Sequence, residues 1–349
     1  MIILLISLTF IATPAFAQTS SIPDLDEATA IHEIVEMSKQ AQLRTPKLRG
    51  QHPKGHGTIW AELTVAPDLP PSLRVGVFKE TGKTYPVWIR FSNALVMDDT
   101  APGLHGMAIK LMGVEGQKVL EDEKDAQTQD FVMLDHPVFF TRNAQDFAAF
   151  FAALAEAEGK FPQKFFATRE QEAEVIKSFQ QKQSLNPLAS RYWSTTPYQF
   201  GDTAIKFSAI PTSRISGEIG TSPDYLRAAM VQTLAKQEAT FDFLIQLQVD
   251  AEITPVENPV VEWREQDAPW QKVATVRIPR QVFDTPEQNT FGEALSFTPW
   301  HSLPEHQPLG SINRARKAIY QAMSEQRHRQ MALPDIEPSP KAFTPHLLK

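Results

Sequence analysis

Residues 49–65 read RGQHPKGHGTIWAELTV. His52 and His56 are four apart, the spacing at which two imidazoles on one helix face can hold zinc. Pro53, Gly55 and Gly57 argue against that helix, because proline lacks the amide donor and glycine is entropically costly in a helix interior. The stretch is instead expected to be a loop that runs into a strand over TIWAELTV.

Strand character continues in YPVWIRFS (85–92), GMAIKLMG (106–113) and QDFVML (129–134). In the first of these, Tyr85, Val87, Ile89 and Phe91 share one face, and Trp88, Arg90 and Ser92 share the other. An arginine and a serine beside a tryptophan suggest that the second face lines a site. From Asn143 to about Gln183 the composition turns helical, with AQDFAAFFAALAEAEG ending at a glycine. Later strands are expected in AIKFSAI, TFDFLIQLQVD and QKVATVRIP. Between the first two lies the helix TSPDYLRAAMVQTLAKQ, with Ser222 as its cap and Pro223 in its first turn. DLDEATAIHEIVEMSKQAQL before the barrel strands and SINRARKAIYQAMSEQRHRQM near the end complete the helices. Strands first, a helical insertion and a closing helix give an α+β class, and the strand count suits an antiparallel barrel.

The chain has 349 residues, 42% hydrophobic and 21% charged, which suits a globular protein with a sizeable core. A net charge of −7, spread along the chain, disfavours nucleic-acid binding. The absence of cysteine excludes zinc–thiolate sites, iron–sulfur clusters and a thiolate haem ligand. Residues 1–17, MIILLISLTFIATPAFA, are apolar and end in Ala-Phe-Ala, a secretory signal pattern without the usual basic start. The expected organisation is a signal peptide over 1–17 and one domain over 18–349. The protein is then exported, periplasmic or secreted, with no stable membrane insertion after cleavage.

On the closing helix Arg316 and Tyr320 are four apart and meet on one face. A guanidinium against a phenol stabilises the phenolate, and a tyrosinate is a good ligand for ferric haem. Taken alone, the pair reads more readily as a core tyrosine on an amphipathic helix beside an exposed arginine.

Four segments in order resemble catalases. RGQHPKGHG is similar to the catalase distal segment, Arg-x-x-His-x-Lys-Gly-x-Gly followed by a strand. RFS (90–92) resembles the strand whose arginine grips a haem propionate and whose serine orients the distal histidine. HPVFFTRNAQDF (136–147) resembles the Pro-Val-Phe-Phe segment, and Arg316-x-x-x-Tyr320 the proximal ligand motif. The likeness is closest to the smaller catalase-like haem proteins of the peroxidase type. It implies a catalase-like antiparallel barrel with a closing helix that carries the proximal haem ligand, and haem b with ferric iron on Tyr320. It also implies His52 as acid–base, Ser92 orienting it, and Arg316 keeping Tyr320 ionised. Arg49, Arg90 and Arg327 would hold the propionates, and Phe147 would pack over the haem.

Two departures stand out. Leu134 occupies the place of the distal asparagine, which puts fast disproportionation of hydrogen peroxide in doubt. Gln51 replaces a small apolar residue beside the distal histidine and could hydrogen-bond a peroxide. The resemblance therefore implies a peroxide-consuming oxidoreductase, acting on hydrogen peroxide or an organic hydroperoxide with an unknown electron donor. The alternatives are an allene oxide synthase-like enzyme that rearranges fatty-acid hydroperoxides, and a haem-binding protein without turnover. Homo-oligomers are compatible with the family, and a flavodoxin-like segment is not expected after the closing helix. His56 is expected exposed or packed outside the pocket, His136 at most at its rim, and no three residues are spaced as a zinc set.

Overall fold

The computed structural model describes residues 25–43, 48–94, 96–158, 161–333 and 337–348. The expected signal peptide lies outside these. The strands are β1 (Lys54–Val65), β2 (Thr84–Asn93), β3 (His105–Met112), β4 (Thr128–Leu134), β5 (Tyr192–Trp193), β6 (Tyr198–Phe200), β7 (Thr203–Pro211), β8 (Ala239–Leu247), β9 (Trp270–Ile278), β10 (Gln281–Val282) and β11 (His346–Leu347). The helices are α1 (Glu27–Leu43), α2 (Ala144–Glu156), α3 (Gln163–Phe166), α4 (Glu170–Phe179), α5 (Tyr225–Lys236), α6 (Pro286–Ala294) and α7 (Ser311–Met331).

Every pairing in the main sheet is antiparallel, in the order β5-β4-β3-β2-β1-β9-β8-β7-β6. Tyr192 and Trp193 of β5 pair with Ala209 and Ser208 of β7, which closes eight strands into a barrel. Alternation sets what goes inside. Tyr85, Val87, Ile89 and Phe91 of β2 join Met107, Ile109 and Leu111 of β3 in the barrel core, so one face of each strand is wholly apolar. Helices α1, α2 and α7 pack together on the outside through Ala30, Ile34, Ala144, Ala148, Ala315 and Ile319. No helix among the described residues is long and apolar enough to cross a membrane.

The strand expected over Thr58–Val65 begins earlier, at Lys54, because a bulge between Gly55 and Gly57 lets the glycine-rich stretch pair with β2. At Gly57 (φ +150°) a Cβ would meet the Phe283 ring at 2.4 Å. The start of α5 differs from the sequence expectation. The helix begins at Tyr225, and Ser222 Oγ accepts only from the Asp224 amide, at 3.2 Å. Its free amide at Leu226 donates instead to the Asp99 carboxylate at 3.0 Å. The cap therefore comes from a distant segment, while Lys54 and the Asp99 amide hold the Pro223 carbonyl.

His56 is fully buried rather than exposed, and its Nε2 bonds Asn93 Oδ1 at 2.8 Å. His306 is buried beside Phe78 and Phe200, with Nε2 accepting from the Val77 amide at 3.0 Å. Burial lowers the pKa of both to about 4. The unfolded chain, with ordinary histidines, binds these protons near pH 6.5 and the folded chain does not. Stability should therefore fall as pH drops from about 6.5 towards 4, by on the order of 3 kcal/mol per group. His301 acts oppositely. Burial and Lys110 oppose its charge, but Glu337 and Asp130 outweigh them and raise its pKa to about 9. Its contribution is full below pH 6.5 and fades as pH rises through about 9. Urea unfolding across pH 4–10 should give a stability maximum between these limits; a flat profile would contradict both assignments.

Candidate functional site

Strand β3 reads HGMAIKLM, and its outward positions are small where its inward ones are large. Gly106 and Ala108 face out, flanked by Ser92 and Arg90 of β2 and by Leu134 and Val132 of β4 in cross-strand register. This low floor lies under an open cavity, whose space of about 720 Å3 includes its solvent-filled mouth. His52 and Gln51 on one side and Tyr320 on another face the same space.

His52 enters from the loop before β1. Its φ of +54° lies in the left-handed region, a local strain of about 1–3 kcal/mol that neighbouring bonds must hold. Its amide donates to the Ala94 carbonyl at 3.1 Å, and Arg90 donates to its carbonyl at 3.1 Å. Nδ1 and Ser92 Oγ are hydrogen-bonded at 2.9 Å. Gly106 makes room for the ring: a Cβ there would lie 2.5 Å from His52 Cε1 and 3.0 Å from Ser92 Oγ. Burial, followed by the charges of Arg90 and Arg316, lowers the His52 pKa to about 3, against the raising effect of Asp135. The imidazole is therefore neutral across the physiological range.

The closing helix supplies the opposite wall. Ile319, Tyr320, Met323, Ser324 and Arg327 recur at helical spacing along the face of α7 that meets the cavity. Arg316, one turn before the tyrosine, donates to Tyr320 Oη at 3.2 Å. It also donates to Thr196 Oγ1 at 3.1 Å, Asn313 Oδ1 at 3.0 Å and Tyr198 Oη at 3.4 Å. Burial works against the Arg316 charge, but the oxygens of Tyr320 and Tyr198 outweigh it and raise its pKa. The guanidinium is thus fixed beside the phenol by groups on three other residues.

At the end of the cavity near α6, three arginines converge. Arg49 donates to the carbonyls of Gly292 (3.1 Å) and Leu295 (2.7 Å). Arg327 donates to those of Glu293 and Leu295. The Glu293 carboxylate lies 3.5 Å from Arg49 Nε and 3.6 Å from Arg90 Nη2. Burial and then Arg49 lower the Arg90 pKa to about 9, against Glu293. Guanidinium groups of this kind suit a ligand that bears carboxylates.

Of the residues expected from sequence, His52, Ser92, Gln51, Arg49, Arg90, Tyr320 and Arg327 border this one cavity, and Arg316 touches it through Tyr320. Phe147 does not border it. Helix α2 packs its inward face on α1 and α7, so the ring meets Phe139, Phe140 and Phe151. His136 bonds Ser178 at 3.1 Å, also outside. Reading the sequence missed the floor at Gly106 and Ala108, which the alternation of HGMAIK could have signalled. It also missed Glu293, for which no motif spoke. Contrary to the expectation of no convergent ligand set, Glu123, His301 and Glu337 bring ligand atoms within 4.8 Å of one another. The Lys110 ammonium lies 2.5 Å from Glu337 and 3.1 Å from His301 Nδ1, so a cation already neutralises that group.

Residues 25–182 match the sequence model of the catalase family. No curated protein matches the chain in sequence. Similar solved structures include catalase A from Saccharomyces cerevisiae, with a TM-score of 0.67 and 18% identity over 84% of this chain and 64% of that one. A fungal catalase gives 0.67 and 18% over 95% of this chain and 67% of that one. A bacterial catalase gives 0.66 and 17% over 97% and 66%. The chain thus spans about two thirds of the length of these relatives. The fold of this chain is that of these catalases, and residues 25–182 match the sequence model of the catalase family.

Proposed function

We propose that the cavity holds ferric haem b and that the protein consumes peroxides as an oxidoreductase. The observation that carries this reading is the convergence of His52 with Ser92, Tyr320 with Arg316, and three arginines on one cavity. The residues fit the group. A floor of Gly106 and Ala108 admits a flat ring, Tyr320 offers a hard oxygen donor for iron, and Arg49, Arg90 and Arg327 suit two propionates. Arg49 Nε and Arg90 Nε are buried without a hydrogen-bond partner, as expected of groups awaiting an acceptor.

When bound, haem supplies the redox chemistry that cleaves the peroxide O–O bond. The protein's own residues do the rest. With Nδ1–H donated to Ser92 Oγ, the neutral His52 ring leaves Nε2 free to take a proton from one peroxide oxygen and return it to the other. Arg316 holds the Tyr320 oxygen in place through its hydrogen bond. Leu134 lies in register beside Gly106, and its apolar side chain offers peroxide no hydrogen bond. Oxidation of an added donor should therefore outpace oxygen evolution.

Purified protein reconstituted with haem tests this: peroxide consumption with a donor supports the reading, and haem uptake without reaction favours a binding protein. Absence of a Soret band overturns it. Gln51 at the cavity wall supports a second reading, rearrangement of lipid hydroperoxides, which product analysis would separate. Residues 1–17 support export.

The glycine floor gives a sharp expectation. Gly106→Ala should push His52 off its station and slow the peroxide reaction, per haem bound, by on the order of a hundredfold. Stopped-flow rates beside haem absorbance check it, and a wild-type rate would contradict the assigned position of His52.

A further inference from the structure

The left-handed backbone of His52 (φ +54°) lasts only where its surroundings over-determine it. Its amide donates to the Ala94 carbonyl and its ring bonds Ser92, the two residues that flank Asn93 in the chain. Asn93 is fully buried. Its Nδ2 donates to Asp99 Oδ1 at 2.9 Å, and its Oδ1 accepts from His56 Nε2 at 2.8 Å. Lys54, two residues after His52 and paired with Asn93 across β1 and β2, reaches the same Asp99 Oδ1 at 2.9 Å. The buried Asp99 carboxylate thus takes donors from both strands that anchor His52.

Helix α5 holds Asp99 in turn. The Leu226 amide donates to Asp99 Oδ2 at 3.0 Å, and the Asp99 amide donates to the Pro223 carbonyl at 3.0 Å. Arg227 donates to the Gly55 carbonyl at 2.8 Å, so the same helix grips β1 a second time. Lys54 also meets Asp224 at 3.0 Å, but that carboxylate is 68% exposed. Asp99 is its buried partner, and a buried ammonium that loses such a partner is driven towards water. Asp99 itself does not line the cavity.

We propose that Asp99 is a positioning residue for His52: its carboxylate locks Lys54 to Asn93 and so fixes the backbone from which the imidazole reaches the cavity. The kinetic consequence rests on the peroxide reading above, and the structural one on this geometry alone.

The test compares wild type, Asp99→Asn and the double variant Asp99→Asn/Lys54→Met. Imidazole proton–nitrogen NMR spectra of the cofactor-free proteins report the ring, with the His52 signal assigned through His52→Ala. Wild type should show His52 neutral, with its proton on Nδ1. In both variants that signal should move towards an average of the two tautomers, while His306, beside Phe78 and Phe200, keeps its own. The double variant removes both charges and should regain the thermal stability that Asp99→Asn loses. Recovery of the wild-type His52 signal along with that stability would reduce the pair to a structural role and overturn the proposal. In hemin-loaded protein the peroxide rate per haem should fall about tenfold in both variants, part of the hundredfold that a misplacement of about 1 Å costs. Adding Asp99→Asn to His52→Ala should slow that protein no further. An unmoved His52 signal in both variants, or equal slowing with and without the imidazole, overturns the proposal and leaves the peroxide reading intact. A moved His52 signal in protein that takes up no hemin overturns the peroxide reading and supports the positioning role.

Discussion

Replacing His52 by Ala should slow the reaction with peroxide by about 10²–10⁴-fold while haem content stays at the wild-type level. The ring contributes nothing to the arginine cluster or to Tyr320, so cofactor retention does not depend on it. None of its neighbours Ser92, Leu134 and Gln51 is a comparable base: Ser92 Oγ is occupied by the ring itself, Leu134 carries no polar atom, and the Gln51 amide at the cavity wall is far less basic than an imidazole. The pH profile follows from the burial of the ring. With a pKa of about 3, set by burial and by the nearby guanidinium groups, His52 stays a neutral base from pH 5 to 8. The wild-type rate should be flat there, without the fall near pH 6.5 that an ordinary histidine would give. Stopped-flow rates at several pH values test both points, and a wild-type rate in His52→Ala would remove the residue from the mechanism.

Tyr320→Phe should weaken haem binding on the order of a hundredfold or more, with little change to the fold. The phenol oxygen is the only part removed, and the ring still fills its place on α7. Arg316 keeps its bonds to Thr196, Asn313 and Tyr198, so no buried charge is stranded. Hemin titration gives the affinity, and circular dichroism the fold. Equal affinity in the two proteins would show that another group holds the iron.

How much of this was legible in the sequence depends on how local each feature is. Helix α7 runs over the residues expected for it, because its apolar spacing is strong and a glycine (Gly310, φ +84°) sets its start. The two faces of β2 also read correctly from alternation alone: the apolar set enters the barrel, and Arg90 and Ser92 face the cavity. Trp88 shares their side but lies under Phe291 and Phe343 instead, a contact between segments some two hundred residues apart.

Long-range partners account for what the sequence concealed. Closure of the barrel rests on a two-residue strand, Tyr192–Trp193, too short to give a periodic signal. Asp99 takes the role of cap on α5 that Ser222 was expected to fill, and only the tertiary fold joins them. Phe147 was assigned by resemblance, and the packing of α2 on α1 and α7 turns it elsewhere. Glu293 belongs to no motif, yet it meets two arginines more than two hundred residues before it. Local pattern fixed the elements; the charge environment of the site came from contacts that pattern does not encode.

The most direct test of the central claim is hemin titration of the purified chain, followed through the Soret band in wild type and Tyr320→Phe. Wild type should take up one equivalent and give a high-spin ferric spectrum of the tyrosinate-ligated type, which Tyr320→Phe should lack. No Soret change in wild type, or the same spectrum in both proteins, would contradict it.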